Sequence, residues 1–524
     1  MKVAGNQAVD EVVDITTTFA LAQVDPASPP GSLLDVLAFL ASDDIPKVLL
    51  LKGGAVIAPE DRGPLEDLPH LNQALAVLAG HSLISVTVDA VGIQRRVQEL
   101  LRDRQSNSLR RAKAAMAGQL VLNSFPRRPD DRRTWFLTSR LIPHALAVAD
   151  HLQGLGNESD LVARLLIQAA RYLAGFGAWK DARQTLERAV AIVEAEKDST
   201  ATFATANTQL GVVALAQGEF DDARVRLERA LAVHRTVPGD EEGQIGDDMA
   251  ALGRALVRLG HPADARALLQ QALEIHERTY GPAELEVAED LVALAEVAVE
   301  EGKLGEALAL LDRAARDLER RYGPDDQDVV SIRFHLQVFE TLLRGATVDS
   351  ASMEAYLDEF EQAYGPKHYE VAGARRFLAD ILEKNGDLEG AQEHLNEALA
   401  IHRTTYGDRH YEVATDLLQL ASLLLHMGKP QAAETTLEEL ATILNNIGPA
   451  NLEGFIRLSD LVRRLADMGE IEETRDSLFR AVAVFRQPLV MTTLPSPRRW
   501  SDSPRRTVGR AILVPHGGAW GRHS

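Results

Sequence analysis

The chain has 524 residues, enough for two or three domains, with 45% apolar residues, only 5% aromatics and no cysteine. Without cysteine there are no disulfides and no thiolate metal sites, and a formal charge of −21 argues against nucleic acid as a partner. No stretch approaches the ~20 apolar residues of a membrane-spanning helix, and the N-terminus has acids where a signal peptide needs an apolar run, so a cytoplasmic protein is expected.

In chain order, LLDVLAFLASDDIPKVLL (33–50) reads as an amphipathic helix stopped by Asp43, Asp44 and Pro46. A second helix, LNQALAVLAGHSLISV (71–86), leads into an alternating apolar segment, SLISVTVDAVGI, that predicts a two-stranded hairpin. IQRRVQELLRDRQSNSLRRAKAAMAGQLVL follows as one long helix, and TWFLTSRLIPHALAVADHL (134–152) as a helix joining this part to the rest. Helices followed by such a wing predict a small winged-helix-like domain over 31–125, between an N-terminal segment (1–30) and a linking helix (126–159).

From about residue 160 a period takes over. GEFDDARVRLERALAVH starts at Gly218, GHPADARALLQQALEIH at Gly260, GKLGEALALLDRAARDL at Gly302 and GDLEGAQEHLNEALAIH at Gly386, with Gly177, Gly428 and Gly469 opening further copies. Arg344 stands where one glycine is missing. Tyr280-Gly281, Tyr322-Gly323, Tyr364-Gly365 and Tyr406-Gly407 recur every 42 residues, as do Val287, Val329, Val371 and Val413. Leu210, Gly211 and Ala214 precede Gly218, and Ala223, Leu227 and Ala230 follow it. The same positions hold Leu252, Gly253, Ala265, Leu269 and Ala272, then Leu378, Ala379, Ala391, Leu395 and Ala398. Small residues let two antiparallel helices approach closely, glycine accepts the left-handed turn between them, and Leu and Ala one turn apart form a buried stripe. Seven to eight such units are expected over 160–487. The remainder, 488–524, carries six arginines against Asp502 and five prolines, a composition without a core that predicts a disordered basic tail.

This pattern resembles the tetratricopeptide repeat (TPR), and the 42-residue period with its Tyr-Gly-Pro and Glu-Val-Ala markers resembles the kinesin light chain variety. The resemblance implies an all-α, right-handed α-α superhelix that binds a protein or peptide in a groove lined by the first helix of each unit. Groove candidates on this register are Arg254 and Arg258, Glu296 and Glu300, and Asp380 and Lys384. Kinesin light chains carry paired asparagines just before the Leu-Ala of each first helix; here those places hold Thr208-Gln209, Ala250-Ala251, Val292-Ala293 and Leu418-Gln419, so the fold is implied and the peptide preference is not. The order of elements over 8–152, with AFLASDDIP, ALAVLAGHSLI and IQRRVQELLR, resembles the winged-helix end of the nucleotide-binding module in STAND-class ATPases, the NB-ARC relatives. In that family a P-loop domain precedes the winged helix, and repeats follow as a sensor. No G-x-x-x-x-G-K-[ST] occurs in this sequence, and the position of the family's ADP-contacting histidine holds Gln94. The resemblance therefore implies the regulatory half of such a machine, with a separate P-loop ATPase domain as a partner and no cofactor of its own.

Catalytic signatures are absent from the sequence: no H-E-x-x-H, G-x-S-x-G or G-x-G-x-x-G. GDEEGQIGDD (239–248) lacks calcium-loop spacing and reads as a solvated turn. His234, His276 and His402 share one repeat phase, and His368 and His410 another, which points to packing and helix ends rather than metal. Between Gln94 and Arg133, eleven Lys and Arg face four acids. Such a cluster on a winged helix could contact DNA phosphates, but its charges ring the helix rather than forming one stripe. Three functions follow in order of preference: a STAND-type sensor and interaction module, a free-standing adaptor that binds a peptide or protein, and a DNA-binding regulator. None is an enzyme.

Overall fold

The computed structural model describes residues 14–52, 67–156, 158–195, 201–237, 242–344 and 350–447; the basic tail and the unit opened by Gly469 lie outside them. Contacts divide the chain into two units, Met1–Val213 and Ala214–Ser524. After a helical stretch over 14–22, the first unit continues with α1 (Pro29–Leu37), where the Ser28 hydroxyl accepts from the Gly31 amide and prolines fill the first helical positions. Gly31 has no room for a side chain, since a Cβ there would lie 2.2 Å from the Asp25 carbonyl oxygen.

The helix expected from residue 33, stopped by Asp43, Asp44 and Pro46, ends earlier: α1 stops at Leu37, Ile45–Pro46 form strand β1, and α2 covers Lys47–Lys52. Asp44 turns the chain at a left-handed φ of 52°, a region that Asp tolerates better than most residues. Helix α3 (Leu68–Gly80), capped by Asp67, precedes β2 (Ile84–Val86) and β3 (Ala90–Ile93). The predicted hairpin is present, but β1 adds a third antiparallel strand in the order β1-β3-β2, with Ile45 opposite Val91 and Ile84 opposite Ile93.

The long basic helix is also divided. Ser106 ends α4 (Arg95–Arg104) and caps α5 (Asn107–Ser124) by accepting from the Leu109 amide. Helix α6 (Trp135–Leu155) is pinned to the sheet by Arg140, which bridges Asp44 at 2.7 Å and Asp89 at 2.9 Å. Helices α7 (Ser159–Gly175) and α8 (Trp179–Glu194) form the first hairpin, and α9 (Ala201–Ala216) follows. A single apolar core runs from Leu21 to Val213 through all of these elements. At its centre Gly118 of α5 lets Leu161 of α7 and Val148 of α6 come within 3.0 and 3.3 Å of where a Cβ would stand.

The second unit continues the array with α10 (Phe220–His234), α11 (Glu242–Arg258), α12 (Pro262–Thr279), α13 (Leu285–Glu300), α14 (Leu304–Tyr322), α15 (Gln327–Arg344), α16 (Ser350–Tyr364), α17 (Tyr369–Asn385), α18 (Leu388–Tyr406), α19 (Tyr411–His426) and α20 (Pro430–Ile447). The marker glycines among the described residues sit in the turns within hairpins at positive φ, from 70° at Gly428 to 90° at Gly386. The stripe expected on the second helices is buried: Ala223, Ala265, Ala307, Ala391 and Ala433 with Leu227, Leu269, Leu311, Leu395 and Leu437. Gly253 brings α11 onto α12, since a Cβ there would lie 2.6 Å from Leu269 Cγ. The acidic stretch 239–248, read as a solvated turn, is helical from Glu242, and Asp248 is buried. The fold is thus an all-α hairpin array preceded by a small winged-helix-like part.

Candidate ligand-binding face

The six groove candidates occupy two register positions on first helices, 254/296/380 and 258/300/384 of α11, α13 and α17. The structure leaves them half-buried, with Lys384 exposed. Asp380 and Lys384 pair with each other. Arg254 lies near enough to Asp290 of α13 to favour its ionised form. Glu296 and Glu300 are engaged in contacts of their own. The guanidinium of Arg258 stands between two rings, 5.0 Å from Phe220 and 5.2 Å from Tyr411, a cation–π sandwich of about 1–2 kcal/mol.

The strongest electrostatics lie one layer deeper, in residues that the register argument did not single out as a site. His234, His276 and His402 each pair through Nδ1 with a buried aspartate on the next first helix, Asp248 at 2.6 Å, Asp290 at 2.7 Å and Asp416 at 2.6 Å. At the two intervening units the pair is replaced jointly, by Leu318 with Ile332 and by Phe360 with Ala374. Removing one partner would strand a buried charge, whereas an apolar pair of similar size strands none. Burial opposes the charge on His276, but the Asp247 carboxylate 3.4 Å from Nε2 and the hydrogen bond to Asp290 outweigh it and raise its pKa to about 10. Burial pushes Asp290 up to about 6 against the pull of that histidine. A signal existed in the sequence: these histidines and aspartates come and go together, fourteen residues apart.

Arg376 of α17, 2% exposed, extends one such pair into a network. It donates to Glu412 at 2.7 Å and Asp416 at 3.1 Å, and Gln419 Nε2 donates to its carbonyl. Burial works against ionisation of Glu412, yet Arg376, His402 and Arg258 hold its pKa down at about 2. Arg376 and Phe377 stand at the register position that carries the clamping asparagines in kinesin light chains, and here that position faces inward.

Beside this network the chain of the second unit returns on itself. His410 Nε2–H donates to the Ala216 carbonyl at 2.9 Å, the Tyr411 ring meets the Phe220 ring edge-on at 6.0 Å, and Gly218 packs against Tyr411. Tyr406 stacks on His410 at 4.1 Å. His410 also caps α19, its Nδ1 accepting from the Glu412 amide, as His368 caps α17.

The tetratricopeptide repeat family matches residues 202–278, 249–320 and 370–446. These hairpins are tetratricopeptide repeats. The repeat is a protein-interaction scaffold, so the first-helix faces are the place to look for a ligand. Similar solved structures include a Signal Transduction ATPase with Numerous Domains (STAND) protein with a tetratricopeptide repeat sensor from Pyrococcus horikoshii. It is 15% identical with a TM-score of 0.49, and the match covers 89% of this chain and 64% of that one. This chain therefore spans less than two thirds of that protein's length. A Rap protein complexed with Competence and Sporulation Factor is 13% identical, TM-score 0.49, over 72% of this chain and 97% of that one. The Rap conjugation gene regulator of plasmid pLS20, solved with a peptide, is 14% identical, TM-score 0.41, over 70% and 94%. No curated protein matches the sequence.

Ahead of the TPR array, the basic cluster is largely committed to the fold. Arg96 pairs with Asp14 and Glu99, Arg102 donates to the Ala38 carbonyl, Arg110 pairs with Asp103, Arg111 donates to the Leu155 carbonyl, and Lys113 faces Asp35. Helix α3, which precedes the β2–β3 hairpin, carries no Lys or Arg. Two open hollows of about 230 and 310 Å³ share Arg102 and His151, with Asp103, Asp150 and Glu99 offsetting the arginines that line them. Among the described residues no group of three His, Asp or Glu could hold a metal, and no helix is long and apolar enough to cross a membrane.

Proposed function

We propose that this chain is the sensing and protein-interaction part of a STAND-type regulator that works in the cytoplasm, with the P-loop ATPase as a separate partner. A protein or peptide is captured on the first-helix faces of the TPR array, with Arg254, Arg258, Glu296, Glu300, Asp380 and Lys384 as contact candidates. Their mixed signs fit a ligand of mixed charge. A binding role rather than a catalytic one fits the repeat, which is a protein-interaction scaffold, and fits a sequence without catalytic signatures. The observation that carries the reading is the continuous core from Leu21 to Val213, which joins the winged-helix-like fold and the first TPR hairpin. Displacement of the hairpin would be felt at the sheet, because close-packed interiors transmit shifts rather than absorb them.

Titration calorimetry with Mg-ATP and Mg-ADP tests the division of labour: no binding is expected, and stable nucleotide binding by the full chain would overturn it. The adaptor reading draws support from the separate cores of the second unit, which the repeats supply themselves. Gly118→Leu separates the two, because it wedges α5 from α7 and leaves the second unit untouched. A regulator then keeps its ligand and loses coupling to the ATPase partner; an adaptor loses nothing. DNA binding is disfavoured by the uncharged α3 and by the ion-paired arginines of α4 and α5.

A further inference from the structure

The contact between residues 216–220 and 410–411 joins parts of the second unit that lie 194 residues apart at the His410 hydrogen bond. It is small. One imidazole, one guanidinium and two rings make it, and none belongs to the repeat pattern on both sides. At the position of Tyr411 the two preceding units hold Tyr369 and Gln327, and at that of Arg258 the units on either side hold Ala216 and Glu300. The contact is therefore specific to this pair of repeats.

We infer that this seam is a latch closed by a neutral His410, and that mild acid opens it. The protonation state is fixed by geometry. The Ala216 carbonyl can only accept, so Nε2 carries the hydrogen; the Glu412 amide can only donate, so Nδ1 carries none. A second proton would sit on Nδ1, against the Glu412 N–H, and would abolish the cap. The groups around the ring are Glu412 of α19, His402 and Tyr406 of α18, and Arg258 of α11, with Arg376 of α17 bonded to Glu412. Glu412 favours a charged imidazole, but it is shared with Arg376, while burial, His402 and Arg258 oppose the charge. In the closed latch His410 thus holds a proton more weakly than an ordinary histidine. An open latch exposes the imidazole to water and returns its pKa to about 6.5. Acid shifts the population toward whichever state binds the extra proton more tightly, and that is the open one.

The chain has no cysteine, so two nitroxide labels can be placed cleanly, at Val225→Cys on α10 and at Asp408→Cys beside the seam. Both positions are exposed. Dipolar distances in the full chain should give one narrow population at a pH of about 8, and a second, longer one at about 5.5, a unit below the ordinary histidine value. His410→Asn keeps a side-chain cap for α19 but cannot titrate, so its distribution should not move with pH. His368→Asn, the same cap on α17, should leave the wild-type response intact. An unchanged distance in the wild type across this range overturns the latch. So does a pH response that survives His410→Asn, or one that His368→Asn removes equally. The wild-type arm changes only the two exposed labelling positions, and the inference does not depend on what the groove binds.

Discussion

The His276–Asp290 pair supports a prediction that the chain has already run on itself. Replacing His276 with Leu leaves Asp290, 1% exposed, without the partner it is hydrogen-bonded to, and with only the field of Arg254 to offset its charge. Breaking a buried pair in this way costs about 3–5 kcal/mol. Adding Asp290→Ile reproduces the Leu318–Ile332 combination found one unit later, and a well-packed apolar substitute is near neutral, within about 1 kcal/mol of the parent. The double variant should therefore be more stable than the single by about 2–4 kcal/mol. Urea unfolding followed by helical circular dichroism reads the difference, and hydrogen exchange across α12 and α13 places it, since repeat arrays lose stability unit by unit. Equal losses in the single and double variants would refute the claim that the pairs change jointly because a lone buried charge is costly.

The same pair gives a pH prediction. A histidine raised to about 10 when folded contributes stability that is complete below its unfolded value of 6.5 and declines as pH rises toward 10, so wild type should lose stability over that window while His276→Leu/Asp290→Ile does not. Glu412 works in the opposite sense. Held at about 2 when folded, it contributes above its unfolded value of 4.5 and loses that contribution as pH falls toward 2; Glu412→Gln should flatten the acid limb of the urea midpoint. Gly253→Ala places a methyl 2.6 Å from Leu269 Cγ and should cost about 1–3 kcal/mol by overpacking, read by the same denaturation. Duplex DNA should show no salt-sensitive shift with the full chain, and one abolished by Arg95→Glu with Arg104→Glu would restore the DNA-binding reading.

The repeat was legible because each marker has a local mechanical cause. Gly260 and Gly302 must take positive φ between antiparallel helices, and Ala265 and Leu269 must fit a close approach. The hairpin Ile84–Val86 with Ala90–Ile93 was legible from its alternation. Strand β1 was not, because Ile45 and Pro46 are only two residues at the stop of the predicted helix, and only the pairing with Val91 and Ala90 decides it. Nor was the break at Ser106, where neither Gly nor Pro announces the new cap. The deeper network was half legible: the phase of His234, His276 and His402 pointed to packing, but their partners follow a full loop later. Arg376 has no counterpart at its register position, where Phe334 stands one unit before and Leu418 one unit after, so the period that exposed the fold hid this large buried charged side chain. The seam joins residues 194 apart at the His410 hydrogen bond, a separation that no local sequence signal encodes.

The central claim is that the first-helix faces of the TPR array hold a protein ligand while the winged-helix-like fold relays its arrival. Cross-linking mass spectrometry on full-length chain captured with its partner tests this most directly, compared with a variant carrying Arg254→Glu and Glu296→Arg. The account predicts cross-links along α11, α13 and α17, their loss in the variant, and altered hydrogen exchange in α5 and α6 on capture. Cross-links confined to other surfaces, with capture unaffected by the charge reversals, would contradict it.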